Sequence, residues 1–246
     1  MTILRACAAA LALIAAAEGA AEPVARIAII IDDLGYGLEA GRRVIALPGP
    51  VACAILPGTP RAADLATAAN ASGKEVLLHL PLQAVDYHGP TEPGSITLDM
   101  SRERLSLTVR HALESVPFAV GVNGHRGSLI TRHPGHMQWL MEDLRRRNDL
   151  FFVDSYTTPR SVAMQIAHET GVRAIRRDVF LDPDAEPGTV LREFERLKAL
   201  ARERGSAVAI GHPYPTTLAF LERELPGLVE EGIELVSLGD LIESQP

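Results

Sequence analysis

The sequence predicts an α/β fold, a β/α barrel of parallel strands with helices outside. Three observations carry this. Apolar strand-like runs alternate with helix-like stretches along nearly the whole chain. Runs such as residues 27–31 and 150–153 are apolar throughout, as strands covered on both faces must be. Seven or eight such units within about 220 residues suit a closed or nearly closed barrel better than an open sheet.

Taken in order, the first strand, 25–31 (ARIAIII), ends in the adjacent carboxylates Asp32 and Asp33 and a glycine-spaced turn. A helix follows over Leu38–Ala46, then a strand at 51–56 (VACAIL) and a helix over Arg61–Ala71. The strand at 75–80 (EVLLHL) carries His79 near its end. The longest loop-like stretch, Gln83–Met100, comes next and is placed to form one wall of a site. After a helix over Arg102–Ser115, the strand at 118–122 runs out into Asn123, His125, Arg126 and Ser128. A helix is expected over His136–Arg147, with Pro134 just before it. The strand at 150–154 (LFFVD) ends in Asp154 and Ser155, and a helix covers Val162–Glu169. The strand at 177–182 (RDVFLD) ends in Asp182. The helix over Val190–Arg204 is stopped by Gly205, and the strand at 207–212 ends in His212. A helix over Leu218–Glu231 and a strand at 233–238 complete the series.

Composition narrows the function. With 246 residues and 47% hydrophobic residues, the chain can bury one full-sized core. A net charge of −7 argues against a general nucleic-acid binder. Aromatic residues make up 4%, too few for a long sugar-binding cleft lined with tryptophan. Residues 1–21 read as a cleaved signal peptide: Arg5, the apolar run 6–17, and small residues before a cut after Ala21. The protein is then expected to be exported to the periplasm or cell envelope, as a domain spanning 25–244 with no membrane span. Removal of the leader takes Cys7, leaves Cys53 alone, and allows no internal disulfide. Cys53 sits in an apolar run and is expected to be buried and inert.

The polar residues collect at strand ends, where parallel barrels place their chemistry. Asp33, His79 and His125 can converge from three strand ends as a zinc or other divalent-metal shell with an open position. Asp32 can then serve as general base without ligating, the cation offsetting the repulsion between the two carboxylates. His212 is placed to protonate a leaving group. Blander readings compete. Adjacent aspartates are often a solvated turn, and His79 can be a hydrogen-bonded core histidine. His133 and His136, in "HPGH", read as a helix start rather than a metal pair. No nucleotide-binding glycine loop or G-x-S-x-G elbow is present.

Together, "IAIIIDDLG", "LLHLPLQ", "GVNGHRGS", "FFVDSYTT", "FLDP" and "AIGHPYPTTLAFL" resemble, in order and spacing, the divergent polysaccharide deacetylases. These are an envelope-associated branch of the carbohydrate deacetylase superfamily. The resemblance implies a deformed seven-stranded barrel of the glycoside hydrolase/deacetylase type and metal-dependent removal of acetyl groups from sugars. It matches Asp32 to the base, Asp33 to a metal ligand and His212 to the acid. The superfamily's H-x-x-x-H segment is absent, so His79 and His125 from separate strands must stand in. The branch pattern G-x-N-N-H-M-G-S is altered at Gly124 and Arg126, and its Arg after D-S is replaced by Tyr156. Arg126 is a candidate for the displaced positive charge. Asp154 or Asp182 is expected to orient His212, and Asn123, Ser128 and Ser155 to bind sugar or orient ligands.

The leading expectation is a zinc-dependent deacetylase acting on an acetylated envelope polysaccharide or sugar. The rivals are a non-catalytic glycan- or partner-binding protein that keeps the fold, and a metal-dependent phosphoester hydrolase.

Overall fold

A computed structural model describes residues 24–87, 89, 92, 94–147 and 150–244. The expected signal peptide, Cys7 and His88 lie outside the described residues. The first half of the chain comprises β1 (Ala25–Leu34), α1 (Leu38–Ile45), β2 (Ala52–Ile55), α2 (Ala62–Ala71), β3 (Val76–Leu82), α3 (Arg102–Ser115), β4 (Ala119–Arg126) and α4 (Pro134–Arg146). The second comprises β5 (Phe151–Asp154), α5 (Ala163–Thr170), β6 (Ala174–Arg176), β7 (Val179–Phe180), α6 (Pro187–Arg204), β8 (Ser206–Gly211), α7 (Pro215–Glu224), β9 (Ile233–Leu235) and α8 (Leu238–Glu243).

All ladders are parallel, in the order β6-β5-β4-β3-β2-β1-β8-β7, with β9 paired to the first residues of β1. Among the described residues no ladder joins β6 to β7, so the barrel is open there. This is the deformed β/α barrel expected from the sequence, with short extra strands at its edges. No helix among the described residues is long and apolar enough to cross a membrane.

Strand alternation sorts the core into two layers. Ile27, Ile29 and Ile31 of β1 join Leu78, Val122 and Ala209 in the layer between sheet and helices. Ala28 and Ile30 join Leu77, Val153, Val208 and Ile210 inside the barrel. Leu238, Leu241 and Ile242 of α8 belong to the same inner cluster. Glu75, just before β3, accepts the Leu238 and Gly239 N–H groups and anchors that helix. The inner apolar cluster therefore continues into α8, which follows β9.

Several boundaries differ from those read in the sequence. α6 and α7 begin at Pro187 and Pro215, three residues early, because proline suits the first helical turn. α7 stops at Glu224, and residues 225–231 form a 3₁₀ segment, since Pro226 lacks the N–H an α-helix needs. The last strand ends at Leu235; Ser237 then caps α8 by accepting from the Asp240 N–H. β6, three residues long, had no clear sequence signal.

Candidate metal centre

The same alternation builds the site. Asp32 continues the inward set of Ala28 and Ile30, His79 that of Leu77, and His212 that of Val208 and Ile210. Asn123 and His125 alternate with the outward-packed Val122 on β4. By alternation alone, Asp33 should face away from Asp32. It does not, because β1 bulges. Ile31 pairs with Cys53 and Leu34 with Ile55, so β1 advances three residues while β2 advances two. Asp33 takes a left-handed backbone, φ 58°, and its carboxylate reaches the same rim. Such a conformation is uncommon outside glycine, and aspartate tolerates it better than most residues.

Asp33 Oδ1, His125 Nδ1 and His79 Nε2 form a triangle with sides of 2.9, 3.1 and 3.2 Å. Their partners show which ring atoms carry hydrogen. The buried Asn123 donates through Nδ2 to Asp32 Oδ1 at 2.7 Å, which turns its Oδ1 toward His79 Nδ1 at 2.9 Å. His79 Nδ1 must therefore be the N–H, and Nε2 carries the lone pair. His125 Nε2 lies 3.3 Å from Glu92 Oε2, leaving its Nδ1 as the acceptor. Three acceptors thus face one point, and the buried Asp33 Oδ1 has no hydrogen-bond donor. Ligands about 2.0–2.1 Å from a tetrahedral zinc would lie roughly 3.3 Å apart. With both rings neutral, the donor set and spacing fit a divalent cation.

The electrostatics agree. Burial works against a proton on His79, but the Asp32 and Asp33 carboxylates outweigh it and push its pKa up to about 9. The same field attracts a cation. Burial raises the Asp32 carboxyl above the ordinary carboxylate range, against the pull of His79 and His212. Burial also acts to raise Asp33, but the two rings beside it hold it well below that range. The two aspartates are thus shifted in opposite directions, Asp32 upward and Asp33 downward. Asp32 Oδ2 stands 3.7 Å from His79 Nε2, beside the triangle and outside it.

His212 approaches from the end of β8, which flanks β1 on the side away from β2, with Nε2 3.8 Å from Asp33 Oδ2. Asp182 orients it, accepting from His212 Nδ1 at 2.9 Å and its backbone N–H at 2.7 Å. Thr217 donates to the same carboxylate. Burial disfavours the imidazolium, yet Asp182, Asp32 and Asp33 together raise the His212 pKa.

Other expected residues are placed differently. Asp154 accepts from the Tyr156 N–H and the Ser161 hydroxyl, so it takes no part in orienting His212. Ser155 donates to the Gly124 carbonyl, and Ser128 accepts from the Val85 N–H; both tie backbone segments together. Arg126 pairs with Glu92 at 3.1 Å and lies over the Tyr87 ring. The cations beside Tyr156 are instead Arg176, over its ring, and Arg177, which donates to the Ser155 and Tyr156 carbonyls. His133 accepts from the His136 N–H and caps α4, the structural role read from "HPGH". Cys53 is buried in β2, and burial pushes its thiol up to about 12. Sequence reasoning missed Glu92, whose only signal was its place in the long loop after β3.

The pocket over the triangle encloses about 250 Å³ and is walled by Asp33, Tyr36, Pro57, Glu92, His125 and Arg126. A larger cavity, about 1050 Å³, opens elsewhere, beside Ala119 and Phe151 where β4 and β5 begin.

A family model described as divergent polysaccharide deacetylase matches residues 29–242. The uncharacterized protein YibQ of Escherichia coli K12 is 39% identical over 217 residues, covering 88% of this chain and 67% of YibQ. The solved structure of uncharacterized ATU2773 from Agrobacterium tumefaciens C58 matches with a TM-score of 0.84 at 22% identity, over 88% of this chain and 89% of that one. The Bc1960 peptidoglycan N-acetylglucosamine deacetylase shares the fold at a TM-score of 0.55 and 13% identity, over 91% of each chain. So does BA3943, a CE4 family pseudoenzyme from Bacillus anthracis, at 0.53 and 16%, over 90% of this chain and 66% of its own.

Proposed function

The chain belongs to the divergent polysaccharide deacetylase family, and from that premise we propose that it is a metal-dependent hydrolase removing acetyl groups from an envelope polysaccharide or sugar. The fold is shared with a pseudoenzyme, so the fold alone does not support activity. The supporting observation is the triangle of Asp33, His79 and His125, whose acceptors face one another with Asp33 Oδ1 unsatisfied. These residues would hold the cation, and their one oxygen and two nitrogen donors suit zinc. A cation there supplies Lewis-acid polarisation of the acetyl carbonyl and eases deprotonation of the attacking water.

The chain's own residues do the rest. Asp32 takes the water's proton, and burial makes it a better base than an exposed carboxylate. Asn123 fixes Asp32 Oδ1, which leaves Oδ2 toward the triangle. The hydroxyl adds to the acyl carbon, and the bond from that carbon to the sugar nitrogen or oxygen breaks. His212, held through Nδ1 by Asp182, gives its Nε2 proton to the departing amine or alcohol. The products are acetate and the deacetylated sugar. Export by the expected leader would bring the protein to such a substrate in the envelope.

Acetate release from N- and O-acetylated glycans by the purified, zinc-loaded protein tests this reading. Release that is lost in Asp32→Asn while zinc is retained supports it. A protein that binds glycan but releases nothing belongs with the non-catalytic relatives of the fold.

A further inference from the structure

The reaction pocket, at about 250 Å³, is smaller than usual small-molecule sites of roughly 300–1,000 Å³. A second cleft of about 400 Å³ shares Pro57, Gly58 and Glu92 with it and continues along α3. One face of α3 lines this extension: Arg104, Leu107, Thr108 and His111, spaced as helical neighbours. The hydroxyls there are committed. Thr108 donates to the Arg104 carbonyl, while Ser115 donates to the Ala112 carbonyl and accepts from the Gly58 N–H.

The arginines of α3 divide, and His111 goes with the second kind. Arg102 pairs with Glu142, and Arg110 with Glu114. Arg104 and His111, the two that line the cleft, are exposed and have no acidic partner among the described residues. Glu92, the acid on the shared wall, is taken by His125 and Arg126. In a chain of net charge −7, an arginine and a histidine without acidic partners thus line a cleft that adjoins the reaction pocket. The exposed Leu107 between them offers an apolar surface for a sugar ring.

We infer that the cleft along α3 is a subsite for an anionic group on a sugar residue neighbouring the acetylated one. Arg104 is the recognising cation and His111 a second donor. The substrate class is then an acidic acetylated glycan rather than a neutral one. An arginine fork reads carboxylate and phosphate oxygens alike. This inference rests on the deacetylase reading for the location of the reacting residue, but binding can test it without turnover.

The test uses three N-acetylated oligosaccharides of equal length: one neutral, one bearing carboxylates on alternate residues, one bearing phosphates there. Calorimetric binding to the zinc-loaded full chain should favour an acidic ligand over the neutral one by about tenfold or more. Arg104→Gln should abolish that preference and leave neutral binding unchanged. His111→Gln should reduce it partly, and Arg42→Gln, outside the cleft, should leave it intact. The preferred acidic ligand identifies the anion. Where acetate is released, Arg104→Gln should raise KM for the acidic substrate and leave kcat unchanged. Equal binding of all three ligands, or a preference that survives Arg104→Gln, overturns the subsite. Absence of acetate release with the preference intact overturns the deacetylase reading alone.

Discussion

At the residue scale, the site turns on Asn123. Its amide donates to Asp32 and accepts from His79, so one side chain sets the base's orientation and the ligand's tautomer together. Asn123→Ala should therefore weaken zinc binding about 10–100-fold, as loss of such a supporting hydrogen bond does; competition with a fluorescent chelator measures this. Asp182 acts similarly on His212. His212 must be protonated to release its proton, so activity persists below its raised pKa and falls as pH climbs through it. Asp182→Asn removes the main raising partner and should move that alkaline fall to lower pH in a kcat–pH profile. Asp32, Asp33, His79, Asn123, His125 and His212 were legible because each stands at or near the end of an apolar run. Glu92 was not, since a loop acid has no period to betray it. Asp154 looked equivalent to Asp182, but its turn to Tyr156 and Ser161 depends on φ/ψ beyond the strand, which alternation does not encode.

At the element scale, β1 explains why two adjacent carboxylates share one rim. The bulge between Ile31 and Leu34 inserts the residue that brings Asp33 round. Further along the sheet, β4 and β5 pack a ring against a glycine. A Cβ on Gly121 would come 2.4 Å from the Phe151 ring on β5. Gly121→Ala should destabilise the fold by about 1–3 kcal/mol in urea unfolding. Coupling it to Phe151→Leu should recover part of the loss if the clash is the cause. Most elements were legible as apolar runs with Pro and Gly at their joints. One edge was not: β6, with three residues, is defined by its ladder to β5 rather than by sequence, while β7 keeps only the middle of the run read at 177–182. The bulge also left no mark in the sequence beyond the aspartate pair itself.

At the scale of the whole molecule, the apolar interior, extended by α8, confines polar chemistry to the opposite strand ends. That division followed from the alternating runs, and so did the barrel. Convergence of residues 33, 79 and 125 required the tertiary order of β1 and β4 around β3, which one strand's sequence cannot state. Because the three donors converge only in the folded chain, zinc should raise the thermal midpoint of the wild type, and His79→Ala should abolish the rise. The central claim is that Asp33 holds a cation while Asp32 does acid–base work beside it. The direct measurement is bound zinc and acetate release, determined together on wild type and Asp32→Asn. The expected result is one zinc per chain in both proteins, with release in the wild type and a loss of about 10²–10⁴-fold in Asp32→Asn. Zinc-free protein with the triangle intact, or undiminished release by Asp32→Asn, would contradict it.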